Sequence, residues 1–182
     1  NGLCDKIISN NVFNIPVGAD YGVYCENVQN ILLKENEFNV NSSNTTAVGL
    51  YVKNADFGEE TATLGEMGPL GSGDDGYGLH IINNSFTGGL ASVVIANYLG
   101  SMPNCYIFGN SFSSTAGISF VGRLISGHFK YNNFDNTDAK AVFLYQSNPH
   151  FFGNNFYGDN TNVILAGESY PNFAPQTISS TS

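Results

Sequence analysis

Five carboxylates fall in one stretch of the chain: Glu59, Glu60, Glu66, Asp74 and Asp75 all lie within GEETATLGEMGPLGSGDDGYG, residues 58–78. No Lys or Arg stands between Lys53 and Arg123. Glycoside hydrolysis needs two carboxylates about 5 to 9.5 Å apart, one of them kept protonated, so these five are the catalytic candidates, although no catalytic motif surrounds them. The same Gly-rich acidic composition suits a solvated loop, and contact with a ligand or partner is a third reading. Asp74 and Asp75 offer oxygen donors for calcium, but their spacing is not that of an EF-hand.

The three histidines, His80, His128 and His150, each stand six residues before a phenylalanine. If that interval is structural, they share one column with Tyr106, and His128 and His150 are stacked neighbours about 4.8 Å apart. Two imidazoles at that spacing tolerate a bridging metal, yet the column supplies no acid or thiol as a third ligand. A sugar-contacting or subunit-contacting surface is the alternative. Cys4, Cys25 and Cys105 are odd in number and lack CxxC spacing, which excludes a zinc knot and argues for reduced thiols used as small apolar filler. The sequence calls for no cofactor.

What positions these residues is an internal repeat. The phrases IISNNVF, LLKENEF, HIINNSF, YIFGNSF, HFKYNNF and HFFGNNF end at Phe13, Phe38, Phe86, Phe112, Phe134 and Phe156. Two residues before each Phe is an asparagine: Asn11, Asn36, Asn84, Asn110, Asn132 and Asn154. Five before it is a large apolar residue: Ile8, Leu33, Ile81, Ile107, Phe129 and Phe151. The intervals are 25, 48, 26, 22 and 22 residues, so the long one is an ordinary coil carrying the 58–78 insertion.

Between the phrases runs a second apolar strand of period two, GVYC, GLYV, SVVI, GISF, AVFL and NVIL, a β pattern. Its alternation predicts an inward column Val23, Leu50, Val93, Ile118, Val142, Val163 and a second one Cys25, Val52, Ile95, Phe120, Leu144, Leu165. A repeat this short, with no helical period, closes once around a parallel β-helix of about six coils, stacking equivalent residues about 4.8 Å apart. Asn and Phe ladders follow, as scaffold. Right-handedness is expected from the chirality of parallel crossovers. The coils span residues 1–166, and the Pro/Ser/Thr-rich 167–182 read as a linker or tail. With no initiator Met, Asn1 reads as the start of a processed product or of a fragment.

Fifteen acids against six scattered bases give a net charge of −9, which excludes a concentrated basic surface for nucleic acid. No apolar run approaches the 18 residues of a membrane span. Asn41, Asn44 and Asn83 lie in N-x-S/T sequons, relevant only in a glycosylating host.

The G-[VIL]-x-apolar strand followed by the apolar-x-x-N-x-F turn resembles the right-handed parallel β-helix repeat of the pectate-lyase-like superfamily, over about residues 4 to 166. That resemblance implies the fold, not a function. It also implies a comparison of outward columns, where pectate lyases carry calcium-binding aspartates and a basic residue. Here they read Ile7, Leu32, His80, Tyr106, His128, His150 and Ser9, Lys34, Ile82, Phe108, Lys130, Phe152, and no catalytic residue carries over. Phage tail spikes and microbial surface proteins in the superfamily are nearest in character.

The outward positions are unusually apolar. Tyr24, Tyr51, Val94, Ser119, Phe143 and Ile164 form the outward column of the second strand, and Ile82, Tyr106, Phe108 and Phe152 add to the first. An apolar stripe marks a contact surface. Side-by-side packing as a homotrimer, as the tail-spike resemblance implies, is one use of it. Stacking of Tyr24, Tyr51 or Tyr106 on sugar rings is the other. The expectation is therefore a β-helical domain of a phage tail spike or fibre that either binds or binds and cleaves a bacterial surface polysaccharide, placed on the virion tail or a cell surface. The alternatives are a non-enzymatic structural or adhesive surface module and a secreted lyase or hydrolase acting alone.

Overall fold

The computed structural model describes residues 6–26, 31–53, 79–98, 102–135, 137–158 and 161–179. The insertion 58–78, with Glu59, Glu60, Glu66, Asp74 and Asp75, lies outside them, as does Cys4. Among the described residues there is no helix, and so none long and apolar enough to cross a membrane. Each strand of the described residues pairs in parallel with its equivalent one coil away, and these strands build a parallel β-helix from three sheets of seven, seven and six.

The chain visits the sheets in rotation. Ile31–Lys34 lies in the first sheet, Glu37–Val40 in the second and Val48–Lys53 in the third before Leu79–Ile82 returns to the first. That return sets Leu79 level with Ile31, so the residues between rejoin in register. The interior is one apolar core formed by the inward columns. Cys105 is fully buried and Cys25 partly so, and burial pushes the titration of both thiols upward.

Each corner between the first and second sheets has one construction. Asn10, Glu35, Asn83, Gly109, Tyr131 and Gly153 adopt positive φ, from 53° to 64°, and reverse the chain immediately before a ladder asparagine. That conformation is unfavourable for Glu35 and Tyr131, and the ladder offsets it. In the middle of the stack Asn110 donates through Nδ2 to Asn132 Oδ1 at 3.0 Å and to the Ile81 carbonyl at 2.7 Å. Its own Oδ1 accepts from the backbone N–H and the Nδ2 of Asn84. Asn36, Asn84, Asn132 and Asn154 likewise bond to the carbonyls of Ile8, Leu33, Ile107 and Phe129. The apolar residue of the phrase thus supplies a buried acceptor as well as core volume.

Asn110→Ala is therefore expected to lower stability by about 2–3 kcal/mol, because it strands the Ile81 carbonyl and the Asn84 N–H inside the protein. Asn11 is exposed, and among the described residues no amide stacks on its far side. Its replacement should cost about 1 kcal/mol or less. Urea midpoints of the two variants test this, and equal losses would remove stacking as the cause.

Phenylalanine rings pile up beside the amides. Phe13, Phe38, Phe86, Phe112, Phe134 and Phe156 stack at centroid spacings from 4.5 to 5.4 Å. The ladder does not stop at Asn154. Gln176 Oε1 accepts from both the N–H and the Nδ2 of Asn154, Phe173 stacks on Phe151 at 4.8 Å, and Ile178 stands level with Phe156. The segment read as a linker contributes Asn172–Phe173 and Thr177–Ser179 to the first and second sheets. Its FAPQTI is the phrase apolar-x-x-N-x-F written with Gln and Ile.

One coil is out of the expected register. Phe120, not Ile118, stands level with Val93 and Val142, and Gly122, not Phe120, with Ile95 and Leu144. The reason is a short corner. Leu124, at φ 54°, alone joins the third-sheet strand Ile118–Arg123 to Ile125–Lys130 of the first sheet, and the buried Ile125 side chain lies against Gly122 where that column lacks one. Ser119, expected outside, is fully buried, and Val121 takes its outward place between Val94 and Phe143. Leu165, expected inside, is level with Leu144 but 46% exposed, because it sits on the edge strand of the third sheet. Of the sequons, Asn44 is buried with Nδ2 donated to the Pro16 and Ala19 carbonyls, which leaves no amide for a glycan in the folded chain.

Candidate functional site

On the outer side of the first sheet, His80, Tyr106, His128, His150 and Asn172 follow one another from coil to coil, as do Ile82, Phe108, Lys130 and Phe152. The column arrangement is the expected one; its exposure is not uniform. His80 and Tyr106 are buried, and Tyr106 packs with Leu32 and Ile82 in a small apolar cluster against which Phe108 leans. Apolar side chains at neighbouring outward positions cover one another here, so the early coils do not present these groups to solvent.

Towards the later coils the face opens into a groove of about 550 Å3, lined by Tyr106, Phe108, Lys130, Tyr131, His150 and Phe152 on its aromatic and basic sides. Tyr131 stands edge-on between two rings, 85° to Phe108 at 5.7 Å and 87° to Phe152 at 5.4 Å. It is 55% exposed and Phe152 is 42% exposed. Tyr131 is the positive-φ corner residue before ladder Asn132, so its backbone is held by the amide ladder while its ring reaches the groove. Alternation along the strand misses it, because the corner places Lys130 and Tyr131 on the outside in succession.

Lys130 Nζ lies 6.0 Å over the Tyr106 ring, within the range of a cation–π contact. The His128 and His150 rings are 5.5 Å apart. Burial holds the His128 pKa below its ordinary value, with Lys130 and His150 adding to the effect, so His128 is neutral at pH 7. Among the described residues no group of three His, Cys, Asp or Glu side chains is placed to hold a metal ion. The groove therefore offers ring faces, one cation and imidazole and amide hydrogen-bonding groups, a set suited to recognition of a polyhydroxylated ligand.

The remaining candidates lie on the third sheet. Tyr24 and Tyr51 stack at 5.6 Å, and Tyr21 closes against both. Tyr24 donates its hydroxyl to Glu26 Oε2 at 2.7 Å, and Lys53 bonds the other oxygen at 2.7 Å. These bonds raise the pKa of Tyr24 and, through Lys53 first, lower that of Glu26. Phe143 is separated from this group by Val94 and Val121. Only Tyr24 of this column is exposed, at 45%; Tyr51, Val94, Val121, Phe143 and Ile164 are half-buried by their stacked neighbours. In comparisons with known proteins, no family model matches the chain, and no curated protein or solved structure matches it either.

Proposed function

We propose that this β-helix is a glycan-binding module whose ligand lies along the aromatic groove of the first sheet, and that it meets a bacterial surface polysaccharide from a phage tail or a cell surface. The observation that carries this reading is the edge-on series Phe108, Tyr131, Phe152, two of whose rings are exposed yet fixed by a stacked scaffold. Pyranose rings bury C–H faces against aromatic faces, while their hydroxyls need polar groups at the rim. Lys130, His150 and Asn172 provide these. Fixed aromatic side chains also lose little conformational entropy on binding.

A glycan array with the intact chain tests the proposal. Tyr131→Ala and Phe152→Ala are each expected to weaken binding about tenfold, as loss of one aromatic contact of 1–2 kcal/mol would do. Both side chains are exposed, so the melting temperature should stay nearly constant. Unchanged binding in both variants, or no bound glycan, would refute the reading. Reducing-end analysis of the same mixtures tests cleavage, for which the carboxylates of residues 58–78 are the candidates.

A further inference from the structure

On the third sheet, Arg123 is clamped between two tyrosines. Its guanidinium carbon lies 4.4 Å from the Tyr98 ring centre and 4.8 Å from that of Tyr145. Tyr145 is the residue level with Arg123 on the next coil and Ala96 the one on the previous coil. Val94 and Val121 are short side chains between the larger Tyr51 and Phe143, and with Ala96 below Arg123 this leaves a hollow of about 250 Å3 with Arg123, Tyr98 and Tyr145 at one side.

The ion pairs among the described residues are Lys34 with Glu35 and Lys53 with Glu26. Among the described residues Arg123 has no carboxylate partner, and its Nε is buried without a hydrogen-bond acceptor. In a chain of net charge −9, none of the described acids pairs with this cation. Stacking covers both faces of a guanidinium and leaves its donors directed outward in the plane, the arrangement that takes a carboxylate through two parallel hydrogen bonds. A buried donor without an acceptor is costly until such a group arrives. The surrounding negative charge also disfavours a doubly charged anion more than a singly charged one.

We propose that this hollow is a second saccharide subsite, specific for the carboxylate of a uronic acid residue: Arg123 takes the carboxylate and Tyr51 and Phe143 flank the sugar. That the carboxylate belongs to a glycan rests on the glycan-binding reading of the first-sheet groove. The Arg123 site itself stands on its own geometry.

The test uses a hyaluronan hexasaccharide, which alternates glucuronate with a neutral sugar, and the same hexasaccharide with its carboxylates reduced to alcohols. Calorimetric titration of the intact chain should show binding of the acid form at least tenfold tighter than the reduced form. Arg123→Gln should abolish that difference, and Arg123→Lys, which keeps the charge but not the planar fork, should lose most of it. Acetate at equal carboxylate concentration should not displace the acid form. Equal affinity for the two forms on the unaltered chain would overturn the proposal whatever the variants do, and so would displacement by acetate or an unchanged preference in Arg123→Gln. Failure of the first-sheet reading looks different: neutral glycans are then not bound or are insensitive to Tyr131→Ala and Phe152→Ala, while the dependence on Arg123 and carboxylate persists.

Discussion

Phe112→Ala is expected to lower the stability of the chain by about 3–5 kcal/mol, the range for deleting a fully buried aromatic side chain whose site cannot collapse. Phe112 has no exposed surface. It stacks on Phe86 at 5.4 Å and on Phe134 at 4.8 Å, and meets Phe120 edge-on at 6.0 Å. Relaxation is restricted because the backbone on either side is fixed by the ladder bonds of Asn110 and by parallel pairing to Ser85–Thr87 and Asn133–Asp135. The cavity therefore persists between two rings. Because coils in a solenoid are coupled only through neighbours, a defect at Phe112 also weakens the coupling between the two halves of the stack. Guanidinium unfolding should show a lowered midpoint, with Phe13→Ala as the contrast. Phe13 is half-buried and, among the described residues, stacks on Phe38 alone, so its loss should cost about half as much. Equal costs would mean that the ring stack is not what holds the middle of the protein.

The ladders were legible in the sequence because they repeat one residue type at one interval, and stacking of identical groups is what a parallel coil makes of such a pattern. The continuation through residues 172–179 was hidden by chemistry, not by spacing. Gln176 reaches Asn154 with a side chain one methylene longer than Asn, and Ile178 covers Phe156 as an aliphatic residue, so a search for Asn and Phe passes over them. The slip in Ile118–Arg123 had a different cause. Gly122 leaves its inward place without a side chain, and Ile125, from the next sheet, occupies the space. Alternation within one strand carries no information about such a loan from another.

The candidate site was legible as columns and not as a surface. Phe108, His128, His150 and Phe152 face outward as the period requires, but whether an outward residue is accessible depends on the sizes of its neighbours on adjacent coils. Tyr106 is buried among Leu32 and Ile82, whereas Phe152 is exposed beside Tyr131. Both Tyr131 and Arg123 adjoin corners: Tyr131 is itself a positive-φ residue, and Arg123 precedes Leu124, which is another. At these corners the two-residue period breaks, so a reading by period overlooks the residues that shape the groove and the hollow.

Gly127→Ala is expected to cost about 3–4 kcal/mol, because one methyl group meets two obstacles at once. Gly127 stands in the first sheet level with Cys105 on one side and Pro149 on the other. Its φ is +114°, a conformation that L side chains rarely adopt, and a β-carbon built there would collide with the carbonyl oxygen of Cys105 and lie 2.8 Å from its nitrogen. Neither atom is the flexible end of a side chain. The cause lies in the neighbouring strand: between Met102 and Cys105 the register shifts, so that three steps of that strand face the two from Ile125 to Gly127. An irregularity of this kind bends the strand locally, and glycine on the facing strand accommodates it. Gly18 separates the two obstacles. Its φ is +87° and nothing lies within 4 Å of an added β-carbon, so Gly18→Ala pays for backbone strain alone, about 1 kcal/mol. Urea denaturation of both variants measures the difference, which is the contribution of close contact between the coils. A Gly127→Ala chain as stable as Gly18→Ala would show that the two strands can part at Cys105 without loss, and the register shift would then have no part in fixing the coil that carries His128, Lys130 and Tyr131 into the groove.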